Sequence, residues 1–501
     1  MNALIENATE TTKAPRPYVS TTNACKLCTP LGAALAFQGI EGAIAFLHGS
    51  QGCATYMRRY VISHFREPVD IASSSLGEKH AVYGGGANLQ QCIKNVIKKY
   101  QPGVLGIATT CLTETIGDDV PMIVNELHKD TATGPESCDL PHLVTVSTPS
   151  YAGTHMEGFH AAVRATVDAL TQTAAPTAAV NLLPGFVSPA DLRYLKEMVQ
   201  DFGLTGIFLP DYSDRLDGPA LDHYEKIPAG GTPVAAIRAM SGSSATLEFG
   251  RTLFPSPTAA ASNLPLPQGE GRGEGGMTLT TSCAAKTFSL PSTAGTLLDE
   301  RFQVPRYPLG TPIGLRETDA FCRVLETISG RKLPQKHETE RGQLVDAYVD
   351  GHKYIFGKRA VVYGDEDLVI GLTAFLVEIG VQPVLCASGG RSGRLEEAIA
   401  AVTRGFLTEP PLVRDGTDFY EIAETARGLS PDLMIGNSKG YRLARGLQVP
   451  LLRVGFPIHD RFGAQRVLHV GYRGTQVLLD RIVNAVLEKS QECSPVGYGY
   501  L

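Results

Sequence analysis

P-G-V-L-G-I-A-T-T-C, residues 102–111, is the stretch from which the fold is read. An aliphatic run follows a Pro-Gly break without alternating polar residues, then ends in two threonines and a cysteine. That pattern predicts a short strand covered on both faces, as in a parallel sheet flanked by helices. Moving outward, A-A-V-N-L-L-P-G-F (178–186), R-A-V-V-Y-G-D (359–365), Q-P-V-L-C-A-S-G-G (382–390) and D-L-M-I-G-N-S (432–438) repeat it. Helical periodicity fills the intervals, as at 192–203, 367–379 and 475–487. Strands alternating with helices predict an α/β protein of doubly wound parallel sheets. The repeats fall into three sets, 20–175, 176–300 and 301–501, after a flexible segment 1–19. One stretch is foreign to this texture: 255–276 is rich in Gly, Pro and Ser, lacks aliphatic periodicity, and is expected to be a disordered surface insertion.

Composition narrows the function. With 501 residues, 43% hydrophobic and 19% charged, the chain exceeds what one core supports. Its net charge of −6 gives no basic excess for a phosphate backbone, so nucleic acid is not an expected partner. The polar, acidic start and the lack of any spanning apolar run predict a cytoplasmic protein without a membrane segment. Ten cysteines in a long chain of that compartment are not a disulfide framework.

Three of the cysteines share a setting. Cys111 closes the opening stretch and precedes L-T-E-T-I-G-D-D; Cys53 closes F-L-H-G-S-Q-G-C (46–53) and precedes A-T-Y-M-R-R-Y; Cys28 lies in K-L-C-T-P-L-G-A, read as a Pro-Gly turn before a helix. Beyond the carboxyl ends of strands in open α/β sheets, loops present ligands, and nearby amide dipoles favour a thiolate. For any one of these residues a buried, inert thiol is the commoner explanation. Three in three turns of one domain are harder to dismiss. Cys25 and Cys28 form a C-x-x-C, but no second pair follows for a zinc ribbon and no clear strand precedes it for a redox dithiol. Iron–sulfur ligation by thiolates from separate loops remains.

Those motifs, with H-F-R-E-P (64–68), S-S-S (73–75), Y-G-G-G-A-N-L (83–89), T-T-C-L-T-E-T-I-G-D-D (109–119), T-P-S-Y-A-G-T-H (148–155) and G-F-P-I-H-D-R (455–461), resemble nitrogenase component 1, on its β-type branch. The resemblance runs from about Cys28 to the C-terminal helix. It implies three Rossmann-like domains, a heterotetramer with an α-type (E- or D-type) partner, and electron delivery by a transiently bound reductase iron protein. It also implies an iron–sulfur cluster, of 4Fe-4S or P-cluster type, shared at the interface, with the FeMo-cofactor or its precursor mainly on the partner. By the same resemblance Cys28, Cys53 and Cys111 are the metal ligands, Ser150 joins them, and Gly49 and Gly52 let backbone approach the cluster. His48 is expected to hydrogen-bond within its turn. Cys25 is a spare thiol, and Cys92, Cys138, Cys283, Cys322, Cys386 and Cys493 are ordinary ones. Arg58, Arg59, His64, Arg66 and Glu67 are expected either to be a solvated face or to line a subunit or reductase interface.

The family holds several functions, and fold does not choose among them. The complete thiol set points to a catalytic molybdenum-iron protein β subunit, or to a nitrogenase-like reductase subunit. The short segment before Cys28, the P-L-G-A-A-L-A-F-Q-G-I run and the spacing of G-N-S-K-G-Y-R with H-V-G-Y-R-G (469–474) look more like a NifN-type scaffold for iron-molybdenum cofactor biosynthesis. The sequence inclines to the scaffold.

Overall fold

Continuous apolar runs become strands, and several hand over to a helix at a Ser, Thr or Asn, as at Ser50, Thr110 and Asn437. The computed structural model describes residues 24–133, 140–253 and 292–496; the segment 1–19, the 255–276 stretch, Cys138 and Cys283 lie outside them. The first sheet holds β1 (Ala43–His48), β2 (Ile71–Ser73), β3 (Val104–Thr109) and β4 (His142–Val146), in the order β2-β1-β3-β4. The second repeats that order with β5 (Val180–Leu183), β6 (Gly206–Phe208), β7 (Ala245–Phe249) and β8 (Arg306–Leu309), as β6-β5-β7-β8. The third holds β9 (Arg359–Gly364), β10 (Gln382–Ser388), β11 (Leu412–Arg414), β12 (Leu433–Gly436) and β13 (Leu451–Arg453), ordered β11-β10-β9-β12-β13. Every pairing is parallel. The fold is therefore α/β with three Rossmann-like units. Because β8 completes the second sheet, that unit extends past the boundary expected at residue 300.

Strand order reverses beside β1 and β3 in the first sheet and beside β9 and β12 in the third. Such switch points open a crevice at the carboxyl ends of the strands. In the first sheet, register pairs His48 with Thr109, so the turns after β1 and β3 begin level with each other.

One contiguous apolar core runs through all three units. The helix Thr29–Gln38 is wholly buried and crosses the helix His155–Leu170 at close range. A Cβ at Gly32 would stand 1.6 Å from the His155 carbonyl oxygen, and one at Gly158 1.9 Å from that of Thr29. Gly32 thus lies inside a helix, where the sequence had suggested a turn; its glycine is needed for interhelical contact.

Polar groups bridge the seams. Arg215 of the second unit donates to the carbonyls of Ile40 and Ala43 in the first, at 3.1 Å each. His469 of the third faces Asp191 of the second at 2.9 Å, and the same carboxylate accepts from the His469 and Val470 amides. His64, expected either on a solvated face or at a subunit or reductase interface, is buried within the chain: its Nδ1 accepts from the Ile458 amide at 2.8 Å.

Candidate functional site

All three thiols stand at helix N-termini. Cys28 is the N-cap of Thr29–Gln38, Cys53 is the third residue of Gln51–Phe65, and Cys111 is the first of Cys111–Ile116. Unpaired amides and the positive end of each helix dipole favour negative charge there. Cys53 and Cys111 follow β1 and β3 across the switch point, and Ser150 follows β4, so the carboxyl edge of one sheet gathers three of the four residues. Cys28 arrives from outside that sheet.

Hydrogen bonds lock the turns together. The Ser150 amide donates to Cys111 Sγ at 3.2 Å, while Ser150 Oγ accepts from the Thr29 amide at 3.3 Å, so Ser150 links the Cys111 turn to the residue after Cys28. His48, fully buried, pairs through Nδ1 with Ser74 Oγ at 2.9 Å and donates from Nε2 to Asp118 at 3.0 Å. Asp118 also accepts from the Gly85 amide, and Ser74 Oγ accepts from that of Gly49. Both His48 ring nitrogens are thereby used within the loops. Thr113 Oγ1 donates to the His48 carbonyl at 3.0 Å, and Thr148 Oγ1 to that of Thr109 at 2.6 Å, tying the ends of β1, β3 and β4. The threonines of T-T-C-L-T-E-T are the fasteners of this edge.

Glycine has two different uses here. A Cβ at Gly49 would stand 2.1 Å from Thr110 Oγ1, so Gly49 serves the packing of two adjacent turns. At Gly52 the nearest atom is Ser50 Oγ at 3.6 Å, and the backbone is open. Open backbone is the feature a bulky group beside Cys53 would need.

The thiols are free, with Cys28 exposed and Cys53 and Cys111 half-buried. Burial raises the Cys53 thiol above its ordinary range, and the neighbouring Cys28 and Cys111 raise it further. Three sulfurs that repel one another as anions form a soft donor set suited to iron. Among the described residues, no three His, Cys, Asp or Glu side chains converge on a position for a single metal ion. Tyr56, three residues after Cys53, and Tyr151, next to Ser150, are each 66% exposed.

The other cysteines differ. Cys25, only three residues from Cys28, packs with Val361, Tyr363 and Leu385 of the third unit, and burial pushes its thiol up to about 12. Cys322 and Cys386 are core residues raised likewise to about 12.

A cavity of about 80 Å³ lies where the three units meet, lined by Glu157, His160, Asp365, Glu366 and Arg394 among others. Burial, reinforced by Glu157 and Asp367, pushes the Glu366 carboxyl up to about 7, and burial takes His160 down to about 4. Sequence reasoning missed this cavity. Its one visible signal was three consecutive acids, Asp365, Glu366 and Asp367, after a strand.

Comparison with known proteins agrees with this architecture. The family described as "Nitrogenase component 1 type Oxidoreductase" matches residues 28–261 and 280–487. The nitrogenase molybdenum-iron protein beta chain of Clostridium pasteurianum is 34% identical over 474 residues, 94% of each chain. That of Methanothermobacter marburgensis is 34% identical over 472 residues, covering 93% of this chain and 94% of its own. The solved structure "Nitrogenase Cp1 at pH 6.5" superposes with a TM-score of 0.85 at 30% identity, covering 98% of both chains. A chain of "Nitrogenase Cp1 at pH 5", at 13% identity and a TM-score of 0.64, shares the fold. Three doubly wound units with a thiol-bearing sheet edge define the class of protein. The chain belongs to the nitrogenase component 1 family, as a β-type subunit.

Proposed function

We propose that Cys28, Cys53 and Cys111 hold this chain's share of an iron–sulfur cluster at the interface with an α-type partner, and that the chain works as a molybdenum-iron protein β subunit in nitrogen fixation. The observation that carries the reading is the half-open setting of the thiols. Three sulfurs stand at three helix N-termini, near enough for Cys28 and Cys111 to act on the Cys53 thiol, with Cys28 exposed and the other two half-buried. A second chain completes the enclosure, in a heterotetramer with the α-type subunit. When bound, the cluster supplies one-electron transfer between a docked reductase and the partner's cofactor. The residues of this chain would bind and orient it: the helix ends favour its negative charge, and Ser150 ties Cys111, through its amide, to Thr29, through its hydroxyl.

The Ser150–Cys111 contact supports the β-subunit reading, as do the names of the relatives. A NifN-type scaffold is the second reading, favoured by the sequence around Cys28 and by G-N-S-K-G-Y-R. The experiment is iron content and EPR of the complex purified without oxygen. Replacing Cys53 with Ala is expected to bleach the cluster under both readings; unchanged iron would remove the assignment. Cys111→Ala separates them, because a β subunit loses a ligand of its larger cluster and a large part of its iron, whereas a scaffold's smaller cluster survives. Retention of full iron in Cys111→Ala would put the scaffold first.

A further inference from the structure

Cys28 is the one thiol of the three that no strand of the first sheet delivers. Its loop, 24–28, reaches the site across the surface of the third unit, and something must hold it there. Lys439, in the turn after β12, donates from Nζ to the Ala24 carbonyl at 3.0 Å and to the Lys26 carbonyl at 3.3 Å, across more than 400 residues of sequence. The turn itself is fixed. Asn437 accepts from the Lys439 amide at 3.1 Å and donates to the Phe456 carbonyl at 3.1 Å. Gly440 leaves no room for a side chain, since a Cβ would stand 2.1 Å from the Tyr363 hydroxyl. Around the same loop, Ala24 bridges Asp418, the His155 amide donates to the Leu27 carbonyl at 3.1 Å, and a Cβ at Gly389 would strike the Cys25 carbonyl at 2.4 Å. Lys439 is the charged member of this clamp. Its amine lies 6.0 Å from the ring centre of Tyr60, on the helix that carries Cys53. Burial draws its amine below the ordinary lysine range, and Cys25, Cys28 and Asp365 around it pull the other way.

We infer that Lys439 is a positioning residue for the cluster: from the third unit it holds the backbone that presents Cys28 and places a positive charge beside that ligand. The inference rests on the reading of Cys28 as a cluster ligand. Lysine suits the task because an ammonium offers three donors and can bind two carbonyls at once. A fixed positive charge near an iron–sulfur centre favours the more negative, reduced state, one of the levers by which a protein adjusts such a potential.

The test uses the anaerobically purified complex, comparing wild type with Lys439→Gln and Lys439→Arg. Amide hydrogen exchange of residues 24–28 in Lys439→Gln is expected to accelerate at least tenfold, with 104–109 unchanged as an internal control. Its cluster midpoint potential is expected to move to more negative values. Lys439→Arg, keeping the charge and the donors, is expected to restore the wild-type potential. Exchange and potential both unmoved in Lys439→Gln would overturn the inference. Faster exchange with an unmoved potential would overturn its electrostatic half and leave a structural clamp. Should Lys439→Gln fail to assemble, Lys439→Met takes its place, and failure of both while Lys439→Arg assembles supports the clamp. Absence of iron from the wild-type complex would instead overturn the cluster reading, while the exchange result would still decide whether Lys439 holds the loop.

Discussion

Gly49 and Thr110 show how tightly the two central turns are fitted. The register of β1 with β3 brings these residues side by side, and the threonine side chain occupies the space where any other residue at 49 would place its Cβ. Gly49→Ala is expected to cost about 1–3 kcal/mol, the usual range for overpacking a filled site. Urea unfolding of the complex measures this directly. Removing the methyl and hydroxyl groups in Gly49→Ala/Thr110→Ala should recover part of the loss, because the two residues compete for one volume. Additive losses in the double variant would mean that the strain lies elsewhere. The residue that resembled a cluster-approach glycine is thus a packing glycine, and Gly52 alone keeps an open face.

The crossing of Thr29–Gln38 over His155–Leu170 carries the same logic to pairs of elements. Two glycines, Gly32 and Gly158, let backbone meet backbone, and Thr29, whose carbonyl Gly158 faces, adjoins Cys28. Gly158→Ala is expected to separate the helices, lower stability, and reduce iron content by shifting Cys28 away from Cys53 and Cys111. Iron analysis beside a thermal melt distinguishes the two effects; a destabilised variant with full iron would show that the crossing does not set the Cys28 position. Much of this scale was legible in sequence. The runs at 102–111, 178–186, 359–365, 382–390 and 432–438 became β3, β5, β9, β10 and β12, because a strand buried on both faces must be apolar throughout. Cys53 and Cys111 could be placed at helix starts for the same reason. Gly32 was misread because its neighbour, the His155 carbonyl, is 123 positions away and leaves no local mark. The acids at 365–367 drew no notice, since only the approach of Glu157 and His160 from another unit turns them into a cavity wall.

At the scale of the whole molecule, histidines make the seams sensitive to acid. Burial takes His64 down to about 3 and His160 to about 4, against 6.5 for a free side chain. The unfolded chain therefore takes up protons below pH 6.5 while the folded chain does not, and stability falls as pH drops through that window. At pH 5 each histidine contributes a loss of about 2 kcal/mol. His469 has the opposite sign. Its pKa is raised, despite burial, by the facing Asp191, so its contribution is complete below 6.5 and is lost as pH rises through its folded value. Asp191 is lowered by His469, against the opposing pull of burial, and its contribution holds above the ordinary carboxylate range and fades as pH falls through its folded value. The urea midpoint of the complex is expected to fall between pH 7 and pH 5, and hydrogen exchange should locate the first opening at Ile458 and its neighbours. An unchanged midpoint, with Ile458 exchange also unchanged, would mean that His64 and His160 take up protons in the fold as readily as in the unfolded chain.

The tie between Lys439 and the loop 24–28 also fixes an order of events during synthesis. Ala24, Cys25 and Lys26 leave the ribosome well before the side chains and turns that seat them, since Gly389, Asp418 and Lys439 follow some 360 to 415 residues later. Until then the first unit can hold Leu27 and Thr29, through the His155 amide and the Ser150 hydroxyl, while the backbone of 24–26 lacks what seats it. Cys53 and Cys111 can thus stand at their helix starts before the segment that leads into Cys28 is fully seated. On the proposed reading of the three thiols, loading of metal is expected to follow the folding of the last unit, and a chain cut short before Lys439 is expected to purify without its full iron.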